Sequence, residues 1–422
     1  MVRRPAILLA VLIWIVAGPA LGDRLLIPMD LGQTDHLKAY GVAYWVIAGG
    51  QDVEWLLNYR GGAFMLDYAD RIARECRLRD VAFQRASDAQ ATRIYAEIEE
   101  ANSDRVLLEK APRIAVYTPP NRQPWDDAVT LALTYAEIPY DTLWDEEVLA
   151  GGLAEYDWLH LHHEDFTGQY GKFYRSHGAQ LWYRQQQVEY ELTAQRLGFP
   201  KVSLEKAAVA EAIRAYMVDG GFMFAMCSAT DTFDIALSAR GTDIVGSVYD
   251  GDPAAADAQA QLDFSRTVAF EDFQLVLDPM EYEHSDIDVS PAGAVQARGP
   301  EVDAFTLFEF SAKYDPVPTM LTQNHVPIVR GFLGQTTAFR KDRIKKSVTV
   351  MGEVTGANQV KYVHGNVGRG TFTFYAGHDP EDYQHFVGDP PTQLALHKHS
   401  PGYRLILNNI LFPAAKKQKR KT

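Results

Sequence analysis

The sequence predicts an α/β fold: a parallel sheet, an N-terminal α/β region ahead of it, and a partly β segment inserted into it. Three observations predict this. Short β-rich runs alternate with helical periods over most of the 422 residues, and Phe222–Met226 is a fully apolar run of the kind found in a strand buried on both faces. Between residues 241 and 346 helix propensity falls and alternating segments take over. A chain of this length exceeds what one hydrophobic core organises, so more than one domain is expected.

The first 22 residues carry Arg3 and Arg4, an apolar run over 6–16, and the small residues Ala20 and Gly22, which are the three parts of a cleavable secretory signal. Its removal takes away two basic residues and no acidic one, so the formal charge of −14 becomes −16. The expected location is periplasmic or secreted, and no later run is long and apolar enough to span a membrane. The acidic balance excludes nucleic acid as a partner, because phosphates require a basic face. Residues 416–422 form a basic tail that reads as a solvated terminus. Two cysteines, Cys76 and Cys227, are too few for a disulfide framework, and their spacing leaves open whether they bridge.

Within 23–111, a strand at 25–30 is followed by a helix over 36–47 and a strand over 53–59 that runs into Arg60-Gly61-Gly62. A helix at 68–79, a strand at 81–85 and a helix at 88–100 come next, and this alternation predicts crossover units on a parallel sheet. A second series starts at 112, with strands at 113–118 and 156–163, a helix over 125–137 and an extended run at 140–144. Two helices are expected in the polar, aromatic stretch up to 197. An amphipathic helix over 204–218 is capped by Gly220-Gly221, and the strand 222–226 stops at Cys227 with a helix soon after it. Beyond the insertion, strands at 348–351, 360–364 and 371–376 and a helix over 403–411 complete a domain made of 112–240 and 347–415.

Cys227 is the first chemical candidate. A buried strand that ends in a sharp turn into a helix presents one side chain at the carboxyl edge of the sheet, where the helix terminus acidifies a thiol. The same position also suits a small buried core residue. His160 and His162 share one face of their strand, and His163, Glu164 and Asp165 lie in the loop beyond. Such a set can meet at a metal, serve a hydrogen-bonded ligand or cap the next helix, and no metal is assigned to it. Arg60 and Gly61 follow a strand, as a grip on carboxylate or phosphate or as a plain turn. His284, Asp286 and Asp288 alternate in the insertion, a pattern that suits calcium but reads first as a solvated loop.

Residues 211–237, read as helix, Gly220-Gly221, apolar strand, Cys227 and helix, resemble the nucleophile-elbow region of the class I glutamine amidotransferase-like fold, including its ThuA-like relatives. Gly368-Arg369-Gly370-Thr371-Phe372-Thr373-Phe374-Tyr375-Ala376-Gly377-His378 resembles the strand that leads those families to their site histidine. The resemblance implies a flavodoxin-like core, Cys227 as nucleophile, His378 as its base, and Glu381, Asp379 or Asp382 to orient the imidazole. Met226-Cys227-Ser228-Ala229 lacks the glycine that amidotransferases place two residues after the cysteine. His162-His163-Glu164-Asp165 stands in place of their glycine-rich oxyanion turn. The implied substrate is therefore a small amide, peptide or sugar-derived molecule rather than glutamine, with Arg60, Gly61, His162, His163, Glu164 and Asp165 as ligand-binding candidates.

Leu37-Lys38-Ala39-Tyr40-Gly41, Trp55-Leu56-Leu57-Asn58-Tyr59-Arg60-Gly61-Gly62 and His162-His163-Glu164-Asp165-Phe166-Thr167-Gly168-Gln169-Tyr170 resemble an exported bacterial family often labelled asparagine synthetase B. Val2 stands where a true synthetase exposes a cysteine, and the chain has no Ser-Gly-Gly-x-Asp-Ser loop for ATP, so ATP-dependent synthesis is not expected. The expectation is an exported hydrolase-type protein with a Cys/His site for a small-molecule ligand. The alternative is a non-catalytic ligand-binding or envelope-associated module that keeps the fold. No particular cofactor is implied.

Overall fold

A computed structural model describes residues 23–120, 127–289, 304–330, 338–382 and 388–416, so the signal-like segment lies outside the described residues, as does the tail from 417 onwards. The chain is a mixed α/β protein with two sheets, one of them partly parallel.

The first sheet holds β1 (Arg24–Ile27), β2 (Val53–Leu57), β3 (Ala63–Asp67), β4 (Gln84–Ala86) and β5 (Asp104–Leu108) in the order β4-β1-β3-β2-β5. Every neighbouring pair is antiparallel, which corrects the parallel sheet expected for this region. The cause is β3. Its sequence, AFMLD, has no period-2 alternation and gives no strand signal of its own, yet it folds back on β2 and inserts between β1 and β2. The helices His36–Ala48 and Asp70–Leu78 therefore each connect strands separated by one intervening strand, the split β-α-β arrangement.

The β2–β3 turn fixes the roles of Arg60 and Gly61. Asn58, Arg60, Gly61 and Gly62 all have positive φ. Arg60 Nε donates to Asp30 Oδ2 at 2.6 Å, and a Cβ on Gly61 would lie 2.3 Å from the Met29 carbonyl oxygen. Both residues are committed to holding this turn against the end of β1.

The second sheet contains β6 (Ile114–Tyr117), β7 (Asp141–Leu143), β8 (Trp158–Leu161), β9 (Phe222–Met226), β10 (Ala304–Leu307), β11 (Ile328–Arg330), β12 (Phe339–Arg340), β13 (Thr349–Glu353), β14 (Gln359–Val367) and β15 (Gly370–Tyr375). Its order is β11-β10-β13-β14-β15-β9-β8-β6-β7, with β12 paired to β14. From β7 to β15 the pairs are parallel, and from β15 outwards they are antiparallel. Residues 241–346, read from sequence as an insertion, thus supply β10, β11 and β12 to the same sheet.

β9 divides two cores, which explains its uninterrupted hydrophobicity. Phe224 and Met226 face a core shared with the helices Ala128–Ala136 and Pro401–Leu411, while Met223 and Ala225 face the helix Val202–Asp219. The first core runs on into the N-terminal sheet, because the helix His36–Ala48 packs directly on Ala128–Ala136. That approach requires glycine: a Cβ on Gly41 would stand 1.9 Å from the Ala136 carbonyl oxygen.

Candidate active site

Parallel strands end at one edge, so the residues after β6, β8, β9 and β15 share a neighbourhood. Cys227 follows β9 with φ of +53°, a left-handed conformation that is strained for a residue with a side chain. The turn is held from both flanks. The Cys227 amide donates to the Gly377 carbonyl at 3.0 Å, and the Ala229 amide donates to the His162 carbonyl at 3.0 Å. Thr230 Oγ1 donates to the Cys227 carbonyl at 2.7 Å, and the helix Ala229–Ser238 departs at once. The strained elbow is present and needs no glycine after the cysteine.

The thiol environment runs opposite to the acidified thiol expected from the helix terminus. Cys227 is 3 % exposed, and burial pushes its thiol up to about 12. The amide and hydroxyl of Ser228 pull the other way, while the charges of Asp231 and Asp288 add to the rise. Burial at the elbow outweighs the helix terminus because the insertion folds over it. Tyr282 and Asp288 come in beside Cys227, His284 Nε2 lies 3.3 Å from Asp165 Oδ2, and Lys172 Nζ donates to the carbonyls of Val276 and Glu283. His284 and Asp288 are buried, and Asp286 pairs with Arg340 and Arg343, so this stretch is not the solvated loop its sequence suggests. Cys76 and Cys227 are both free and buried in different parts of the fold.

Histidines dominate the rest of the edge. His162 Nε2 and His378 Nδ1 are 2.8 Å apart, with their rings nearly perpendicular. His163 completes a group of three, since one nitrogen of each ring lies within 4.8 Å of the others. His378 thus meets His162, and among the described residues no hydrogen bond joins it to Cys227. The other nitrogen of His162, Nδ1, is buried and without a hydrogen-bond partner, with Asp127 Oδ2 at 3.6 Å. Burial pushes the His162 imidazole well below its ordinary value; Asp127 opposes this and the neighbouring histidines reinforce it.

Asp127 was not singled out from sequence. Its Oδ1 caps the helix Ala128–Ala136 through the amides of Val129 and Thr130 at 2.7 and 2.9 Å. Its Oδ2 lies 3.0 Å from His160 Nε2, and His160 Nδ1 faces the Phe224 carbonyl at 3.2 Å. Burial alone would raise the Asp127 carboxyl, but His160 and His162 outweigh it and hold it well below the usual carboxylate range. Its signal was a cap residue directly ahead of an apolar helix, which sequence reasoning absorbs as structure alone.

The remaining candidates take other roles. Asp165 accepts from the amides of Thr167, Gln169 and Gly171 and from the Thr167 hydroxyl, and with His284 these contacts hold its carboxyl far below its ordinary value despite burial. It builds its loop. Glu381 turns to His397 Nδ1 at 3.0 Å, and Asp379 accepts from Tyr403 Oη at 2.7 Å and from the Glu381 amide. These hydrogen bonds point away from the histidine group, while the Asp379 carboxylate still lies within the electrostatic reach of His378. Glu164 is buried and pushed up to about 8 by burial, with Lys206 opposing and Asp145 adding to the rise.

Lys206 belongs to a second cluster that the sequence did not disclose. Its Nζ reaches both Asp145 oxygens at 2.7 and 2.9 Å and Tyr117 Oη at 3.0 Å, and it stands 3.9 Å from the centre of the Trp144 ring. Glu205 beside it is pushed up to about 8, chiefly by burial, so its neutral form is the one the fold favours. Its contribution to stability is present below pH 4.5 and is lost as pH rises to about 8. Glu205→Gln is expected to gain on wild type across that window by about 2–4 kcal/mol, read from urea midpoints at several pH values. A difference that does not change with pH would refute this. Elsewhere, the acidic group Asp243, Asp250 and Asp252 is already filled by the Lys201 ammonium at 2.6–3.0 Å.

No protein-family model and no curated protein matches the chain. Among solved structures, a cytoplasmic protein from Salmonella typhimurium aligns at 11 % identity and a TM-score of 0.33, over 72 % of this chain and 100 % of that one. A second cytoplasmic protein, from Salmonella typhimurium LT2, aligns at 14 % identity and 0.34, with the same coverage. A beta-galactosidase from Bacillus circulans sp. alkalophilus aligns at 10 % identity and 0.25, over 70 % of this chain and 32 % of that one. The functional reading therefore rests on the residues of the site.

Proposed function

We propose that this chain is an exported hydrolase-type enzyme with a class I glutamine amidotransferase-like, flavodoxin-like core, acting on a small amide, peptide or sugar-derived ligand. In this reading the histidines at the carboxyl edge do the chemistry, and Cys227 shapes the turn. The observation that carries it is the His162–His378 pair at 2.8 Å, brought together from the ends of β8 and β15 with His163 beside it. Two imidazoles in hydrogen-bond contact can pass a proton between ring nitrogens, the task of a general base or acid. The parallel strands β7-β6-β8-β9-β15 support the core assignment, because numbered along the domain they run 2-1-3-4-5, the flavodoxin-like order. The strained residue after β9 supports it as well.

A second reading, a binding module without chemistry, is favoured by the closure of the edge. Cys227, His162 and His378 are 3 %, 2 % and 3 % exposed. A panel of small amides, dipeptides and glycosides, followed by mass spectrometry, separates the two. Turnover that survives in Cys227→Ala and is lost in His378→Ala supports the histidine reading. Turnover lost in Cys227→Ala and kept in His378→Ala overturns it. Ligand binding without turnover by the wild type favours the module.

A further inference from the structure

We infer that His162, His163 and His378 bind a first-row divalent cation, with zinc the best match. The inference rests on the reading that this strand edge is the working site: on binding, the proton shared by His162 and His378 leaves, and their nitrogens open from 2.8 Å to the wider spacing of tetrahedral ligands. Three nitrogens from three rings lie within 4.8 Å of one another, which is the ligand count and donor type of a catalytic zinc centre with a fourth position left for water or substrate.

The surroundings match a metal-binding histidine more closely than a core histidine. His162 is 2 % exposed, one nitrogen is turned to the cluster, and the other is buried without a hydrogen-bond partner opposite the Asp127 carboxylate. A metal-bound histidine donates its far N–H to such a carboxylate, which fixes its tautomer, and with Asp127 Oδ2 at 3.6 Å a small turn of the His162 ring would make that bond. Asp127 is itself immobilised, by the two helix amides on one oxygen and by His160 on the other. The set also differs from the one the sequence spacing suggested. His160 is turned to Asp127 and the Phe224 carbonyl, and Glu164 shares the surroundings of Lys206, so His163 and His378 take the places offered to them.

The test measures metal directly, without a substrate. The full chain, loaded with zinc, desalted and analysed by mass spectrometry for metals, is expected to hold one equivalent. His162→Ala and His378→Ala should hold less than about a tenth of that, while His397→Ala, in the pair with Glu381, should hold one equivalent. Asp127→Asn keeps a helix cap and should weaken affinity by about 10–100-fold. Cobalt loading gives a readout that does not depend on how well a deletion folds. The wild type should show the visible bands of four-coordinate cobalt, and His163→Cys should add a thiolate charge-transfer band. Absence of stoichiometric metal from the folded wild type, or metal retained in both alanine variants, overturns the inference. If metal is absent while His378→Ala still abolishes turnover, the cation falls and the histidine reading stands. If metal binds and the panel shows no turnover, the cation stands and the hydrolase reading falls.

Discussion

Lys206→Met is expected to destabilise the fold by about 3–5 kcal/mol, the range for removing one member of a buried ion pair. Lys206 and Asp145 are 1 % and 2 % exposed, and Asp145 also accepts from Tyr117 Oη. Without the ammonium, Asp145 becomes a buried charge next to Glu205 and within the field of Glu164, both of which are already pushed up by burial. The cost therefore comes from the group left behind more than from the attraction lost. Lys206→Met combined with Asp145→Leu should recover most of the loss, because a hydrophobic replacement of both partners removes the stranded charge. Urea denaturation of the two single variants and the double variant is the measurement. A single-variant loss below about 1 kcal/mol would mean the pair behaves as a surface one.

Arg404→Ala is expected to cost a similar amount, about 3–5 kcal/mol, by a different route. The Arg404 side chain is fully buried in the helix Pro401–Leu411 and reaches across to the N-terminal sheet. Its Nη1 donates to the Met29 carbonyl at 3.0 Å and its Nη2 to the Gly61 carbonyl at 2.7 Å, with His325 Nδ1 at 3.0 Å and Tyr40 below the guanidinium. Truncation leaves the buried Met29 carbonyl and the part-buried Gly61 carbonyl without this donor and opens a cavity between the two sheets. Arg404→Lys should restore less than half of the loss, because a single ammonium cannot span both carbonyls as the planar fork does. Chemical denaturation checks both variants, and full recovery by lysine would contradict the fork geometry.

Much of the second sheet was legible because its strands carry strong local signals. Phe222–Met226 falls on the expected residues, and the strand, turn and helix around Cys227 follow from an apolar run meeting small polar residues. The N-terminal sheet was misread for want of one signal: Ala63–Asp67 lacks alternation, and without it a split arrangement is indistinguishable from parallel crossovers. At the site, sequence placed Cys227, His162, His163 and His378 at strand ends. It could not show that His378 meets His162, because that contact depends on which strands are neighbours. It also could not show that Tyr282 and Asp288 come in beside the elbow, or that burial there reverses the expected acidity of the thiol.

The proposal that Cys227 shapes the turn and the histidines do the chemistry is tested most directly by the pH dependence of Cys227 alkylation by iodoacetamide, with modification at Cys227 and Cys76 resolved by peptide mapping. With the Cys227 thiol pushed up to about 12, labelling in the native protein should be at least about tenfold slower than for free cysteine at neutral pH. Its rate should climb toward alkaline pH without an inflection below about pH 10. Rapid labelling with an inflection below about pH 8, lost in His378→Ala, would reveal a thiolate paired with that imidazole and contradict the account.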